Sequence, residues 1–128
     1  MKIGMTGIFV NNVQAAFKFY TEVLGFAERV YMPEMNLAVI VAKDDQQGTG
    51  LLLEPNDNPI GQDFQQKLYQ SGIPAIVFSS DDIQKEYESL LEKGVVFRKP
   101  PEKTQWGILA IFEDTCGNLI QLHQMLNK

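Results

Sequence analysis

Few side chains in this sequence can do chemistry, and the most telling group of them ends the chain. Leu119, Gln121 and His123 alternate with Ile120 and Leu122, so in a strand Gln121 and His123 share one face, the glutamine lying between apolar neighbours. An amide and an imidazole there could hydrogen-bond a ligand, and the imidazole could also take a metal. Glu54 closes another strand-like run, from Thr49 to Pro55. A carboxylate in that position can meet a cation, ligate a hard metal or act as a general base. Cys116 lies in the turn-forming cluster Asp114 to Asn118 with no basic residue beside it in sequence, and reads as turn filler rather than a nucleophile. Trp106, in Lys103-Thr104-Gln105-Trp106-Gly107, enters the next-to-last strand and is free either to stack on a planar ligand or to cover a sheet edge.

The elements that must hold these residues follow from periodicity. Ile3 to Val10 reads as a strand whose two glycines mark close approach of another backbone or a ligand. Val13, Ala16, Phe17, Tyr20 and Leu24 recur at helical spacing, with Asn11 or Asn12 as N-cap and Gly25 as the C-terminal glycine. Runs 26–32, 35–42 and 49–55 are strand-like. Asn56 to Ile60 is the one internal boundary, and Ile60, Phe64 and Leu68 predict a short helix ended by Ser71-Gly72. Pro74 to Ser80 is then a strand, Asp81 or Asp82 a cap, and Ile83, Tyr87, Leu90 and Leu91 the buried stripe of a helix closed by Gly94. Strands follow over 95–98, 107–112 and 118–124, the last two joined by a hairpin in which Gly117 and Asn118 tolerate positive φ.

With 128 residues, a net charge of -5 and scattered basic residues, the chain argues against a nucleic-acid backbone and an anionic membrane as partners. A lone cysteine and the lack of an apolar leader or membrane-length run point to the cytoplasm.

Each half therefore reads βαβββ, giving an α+β fold of two repeats that form a curved mixed sheet with helices on its convex side. The expected domain is 1–128, with repeat one over about 1–56, a connecting segment over 57–72 and repeat two over 73–126. Val10 to Gln14 falls on Ser80 to Gln84, Phe17 on Tyr87 and Met5 on Ala75 at one offset, and a shift of three residues near the ends lays Leu52-Leu53-Glu54 on Leu119-Ile120-Gln121. Such a duplication makes the concave face the natural site. The inward positions at equal depth are Met5, Glu54, Ala75 and Gln121.

Those paired halves carry a resemblance, together with the segments Val10-Asn11-Asn12, Phe19-Tyr20-Thr21-Glu22-Val23-Leu24-Gly25-Phe26 and Phe112 to Ile120. The chain resembles the vicinal oxygen chelate superfamily of glyoxalase I, extradiol dioxygenases, fosfomycin-resistance enzymes and bleomycin-resistance proteins. The resemblance implies a homodimer, and for its enzymes a divalent metal bound by His, Gln or Glu from the first and last strands of each half. Those positions fall on Met5, Glu54, Ala75 and Gln121, of which alanine offers no donor and a thioether a poor one. The expectation is therefore no metal and no other cofactor. The cleft would be lined by Met5, Gly7, Phe9, Tyr31, Leu52, Glu54, Ala75, Val77, Trp106, Leu119, Gln121 and His123, and would take a small hydrophobic or aromatic molecule, as in bleomycin-resistance proteins. Whether the protein is an enzyme stays open. The alternative is a glyoxalase-like lyase or dioxygenase with a displaced divalent-metal site using Glu54, Gln121 and His123, or a metal-free catalyst with Glu54 as base; a third reading is an interaction domain.

Overall fold

A computed structural model describes residues 1–126, which divide into two compact units, Met1–Gln66 and a second from Lys67 onward. In the first, β1 (Met5–Val10) leads into α1 (Val13–Lys18), whose N-cap Asn12 accepts a hydrogen bond from Ala15 N at 2.8 Å. The helix then widens into a π-turn over Phe19–Val23, closed by Leu24 N donating to Phe19 O, while the Thr21 hydroxyl donates back to Phe17 O. Tyr20, in this wider turn, is fully buried. Gly25, at φ 88°, ends the helix as its position predicts.

β2 (Ala27–Met32), a 3₁₀ turn at Pro33–Met35, β3 (Leu37–Val41) and β4 (Gly50–Pro55) complete a four-stranded sheet ordered β1-β4-β3-β2. β1 runs parallel to β4, and the other pairs are antiparallel. Alternation sends Ile8, Val10, Ala38, Ile40, Leu51 and Leu53 to the face on which α1 packs, where all are buried with Val13, Ala16 and Tyr20. Each large aliphatic side chain buried there contributes about 1.5–3 kcal/mol.

The expected helix after the Asn-Asp-Pro segment is α2, Pro59–Gln70, and the division between the units falls within it. Within the first unit it lies against the open edge of β1. The Gly61 Cα approaches the Phe9 ring so closely that an added Cβ would meet it at 2.9 Å, and Phe64 sits edge-on to Phe9. Gln65, buried, donates to Phe9 O at 2.9 Å and accepts from Asn56 Nδ2 at 2.6 Å, satisfying a strand-edge carbonyl that the sheet leaves unpaired.

The second unit repeats the plan: β5 (Ile76–Ser79), α3 (Ile83–Glu92) capped by Asp82 on Lys85 N and followed by Gly94 at φ 86°, then β6 (Phe97–Lys103), β7 (Gly107–Glu113) and β8 (Leu119–Met125), in the order β5-β8-β7-β6. β6 runs well beyond the four residues that the apolar pattern marks, across Pro100 and Pro101. It can do so because it is an edge strand whose register shifts twice against β7.

The β7–β8 turn also differs from expectation. Positive φ falls on Thr115 (63°) and Gly117 (99°), not on Asn118. The cause is Asp114, fully buried, whose Oδ1 accepts from Cys116 N (2.7 Å) and Asn118 N (3.0 Å) while Oδ2 accepts from Asn118 Nδ2 (2.8 Å). The carboxylate winds the turn around itself and forces Thr115 into the left-handed region. Cys116 is buried within it, and desolvation, with the Asp114 charge adding to it, pushes the thiol from its ordinary 9.0 up to about 11. Because the folded value is the higher one, the thiol's contribution to stability is complete below about pH 9 and is lost as pH rises toward 11. Iodoacetamide at pH 8 is expected to alkylate native Cys116 at least roughly a hundredfold more slowly than the urea-unfolded chain, as followed by intact mass. Equal rates would show that the thiol is open and reactive.

Among the described residues no helix is long and apolar enough to cross a membrane.

Candidate functional site

In each unit one face of the sheet carries the packed helix and the other carries the residues singled out by sequence. In the first unit that second face bears Met5, Gly7 and Phe9 on β1, Leu52 and Glu54 on β4, and Val39 on β3, with Gly7 opposite Leu52 and Phe9 opposite Glu54 in the ladder. Gly7 has a specific use. A Cβ built on it would lie 2.5 Å from Glu54 Oε1, so the missing side chain is the notch into which the Glu54 carboxylate folds. The space at this glycine is thus taken by a side chain, that of Glu54, and not by the other backbone or ligand that its sequence position suggested. Among the described residues no hydrogen bond or ion pair engages that carboxylate. The Arg29 guanidinium is occupied elsewhere, donating to Gln46 O at 3.0 Å and Gly48 O at 2.6 Å, and lies beside Gly50.

Two residues assigned to the cleft by sequence are placed otherwise. Tyr31 pairs with Ala38 on the helix side and stacks flat on Phe17 of α1, with centroids 3.8 Å apart and planes within 4°. The register shift in β2 between Glu28 and Val30 sets that parity. Phe9 does face the open side but is covered by Gly61 and Phe64 of α2.

In the second unit Ala75, Val77, Leu119, Gln121 and His123 share the face away from α3, since the neighbouring Gln124 turns the other way to accept from Ile83 N at 2.8 Å. Gln121 is flanked by Val77 and Ile111, and His123 by Ser79 and Leu109. The His123 ring occupies the space above Gly107, where a Cβ would meet Nε2 at 2.8 Å. At the far end of this face Glu113 accepts from Tyr69 OH at 2.9 and 3.0 Å and from Arg98 Nε at 2.5 Å, and Arg98 Nη2 donates to Tyr69 OH at 3.2 Å. Sequence reasoning missed this cluster, because its members come from three elements distant in sequence and none breaks its local pattern. Trp106, 73% exposed, stands in the β6–β7 turn, held by its N–H to Thr104 Oγ1.

The ladders also revise the internal repeat. Phe9 and Ser79 each stand three residues before their helix caps, Asn12 and Asp82, and they pair with Glu54 and His123 respectively. The last strands therefore superpose with a shift of one residue, not three. Glu54 corresponds to His123, and Leu52 to Gln121. The corresponding rungs are then Gly7 opposite Leu52 and Val77 opposite Gln121, with Glu54 about 7 Å further along its strand than Leu52. Neither this set nor the one containing Glu54 supplies the hard donors a divalent metal requires, and among the described residues no three of His, Cys, Asp and Glu cluster closely enough to hold one. The residues present do not fit the divalent metal that the resemblance implies for enzymes of that superfamily.

The sequence model of the Glyoxalase/Bleomycin resistance protein/Dioxygenase superfamily matches residues 2–122, and the chain belongs to that family. It is 48% identical to the protein YurT of Bacillus subtilis (strain 168) over 126 residues, 97% of this chain and 99% of YurT. Among solved structures, UcmS2 is 26% identical with a TM-score of 0.80, covering 96% of this chain and 97% of its own. TnmS3, an antibiotic binding protein from Streptomyces sp. CB03234, is 24% identical with a TM-score of 0.77, covering 98% and 97%, and shares the fold.

Proposed function

We propose that this protein binds a small hydrophobic or aromatic molecule on the sheet faces turned away from α1 and α3, without a metal. The observation that supports this most directly is the make-up of those faces. Apolar side chains that sheets normally cover are left in solvent, Met5 at 52% and Val77 at 55% exposure, beside Leu52, Leu109 and Ile111. The polar groups among them are few and separate: Glu54, Gln121 and His123. An apolar surface with a small number of placed polar groups is the composition of a small-molecule site. That TnmS3 is an antibiotic binding protein agrees with such a use of the fold, while the reading for this chain rests on its own residues.

The test combines metal analysis with ligand titration. Untagged protein purified without chelator is assayed for metal, then titrated with planar aromatic compounds by calorimetry and by Trp106 fluorescence, before and after EDTA. Saturable binding with Kd in the micromolar range, on the order of −8 kcal/mol, is expected, unchanged by chelator. Stoichiometric metal whose removal abolishes binding would overturn the metal-free reading and direct attention to lyase or oxygenase chemistry.

A further inference from the structure

We propose that the ligand bears a positive charge, a protonated amine attached to its apolar or aromatic body, and that Glu54 receives it; this deepens, and rests on, the binding role proposed above. Three observations carry the inference. The Glu54 carboxylate lies on the open sheet face beside Leu52 and Phe9, and no described residue pairs with it. It is seated in a notch made by the absence of a side chain at Gly7, so it lies along the sheet instead of extending away from it. Arg29, on the same unit, is committed to the carbonyls of Gln46 and Gly48 and does not neutralise it.

These facts decide between ligand classes. A neutral apolar molecule settling on Leu52 would strip water from a carboxylate while returning nothing to it, and an unpaired carboxylate is among the most costly groups to desolvate. An anion would add repulsion, locally from Glu54 and at longer range from a chain of net charge -5. A ligand carrying an ammonium group replaces the lost water with a charge-assisted hydrogen bond while its body covers the apolar surface. The second unit makes the contrast: there Gln121, neutral, lies between Val77 and Ile111, and carries no such bias toward charge.

The test uses matched pairs, 1-naphthylmethylamine against 1-naphthalenemethanol and the corresponding 1-pyrenyl pair, titrated calorimetrically into the full-length protein at pH 7.5 and low salt. The amines are expected to bind about tenfold more tightly than the alcohols, with a preference that shrinks as salt is raised. Glu54→Gln is expected to bring the two classes within about twofold of each other while leaving the alcohol's affinity intact or improved. Gly7→Ala gives an independent check. The atoms its Cβ meets first belong to the flexible side chain of Glu54, so the carboxylate is displaced with little loss of stability, and the amine preference is expected to fall about fivefold. Equal binding of amines and alcohols to the native protein overturns the proposal and leaves apolar binding standing. A preference that survives Glu54→Gln with unchanged melting temperature assigns the charge to another group and overturns Glu54's role. Absence of binding by every probe overturns this proposal together with the reading beneath it.

Discussion

Asp114→Ala is expected to lower the melting temperature by roughly 10–15 °C, corresponding to a loss of about 3–5 kcal/mol. The carboxylate is fully buried and accepts from Cys116 N, Asn118 N and Asn118 Nδ2. Truncation removes an acceptor shared by all three donors from a site that the alanine does not fill, and the loss of a buried hydrogen-bond partner costs about 1–3 kcal/mol. The turn also holds Thr115 at φ 63°, a conformation the network imposes on a β-branched residue. Releasing it frees the β7–β8 connection, and with it the strand that carries Gln121 and His123. Asp114→Asn should fall between the two, since it retains the Oδ1 acceptor and sets one amide donor against another at Asn118. Thermal unfolding followed by circular dichroism is sufficient, and an alanine variant melting within about 3 °C of the native protein would show that the turn is held by something else.

Gly107→Ala is expected to cost about 2–3 kcal/mol and to move the only imidazole in the chain. A Cβ at this position would lie 2.3 Å from the backbone oxygen of Gln124 and 2.8 Å from His123 Nε2. The first contact is with main chain, which cannot swing aside, so the β7–β8 ladder must part where Gly107 opposes Met125. The second expels the His123 ring from its seat. Two readouts follow: a drop in melting temperature of roughly 5–10 °C, and displaced His123 ring resonances in a protein with no other histidine to confuse them. Gly7→Ala supplies the contrast. Both glycines lie under a polar side chain, but the nearest contacts at Gly7 are with the flexible side chain of Glu54 and not with main chain, and that substitution should leave stability nearly unchanged. Equal losses of stability from the two would contradict this account.

Much of the fold could be read from the sequence because local chemistry determines it. Asn12 and Asp82 cap helices since their short side chains reach the N–H three residues on. Gly25, Gly72 and Gly94 close helices because they accept positive φ. Alternation assigned Ile120 and Leu122 to one face, and Gln121 and His123 to the other, because a strand has period two and the β8 ladder contains no bulge. Tyr31, assigned to the cleft by the family resemblance, lies instead on the helix side, since a register shift in β2 sets its parity and no residue type there announces a bulge. Likewise the sequence set Glu54 beside Gln121 by matching similar triplets, whereas strand pairing matches Glu54 with His123.

The sequence by itself determined two βαβββ halves, their caps and turns, and a shortage of metal donors, all of which depend on residue type and short-range spacing. Tertiary structure alone decided which neighbours those residues meet: the notch at Gly7 that seats Glu54, the Tyr69–Glu113–Arg98 cluster, the cover over Phe9 and the register of the last strands. The physical reason is that hydrogen-bond and steric partners across a sheet are fixed by strand register and by the packing of α2 on β1. Both depend on contacts between residues tens of positions apart, which local periodicity does not record.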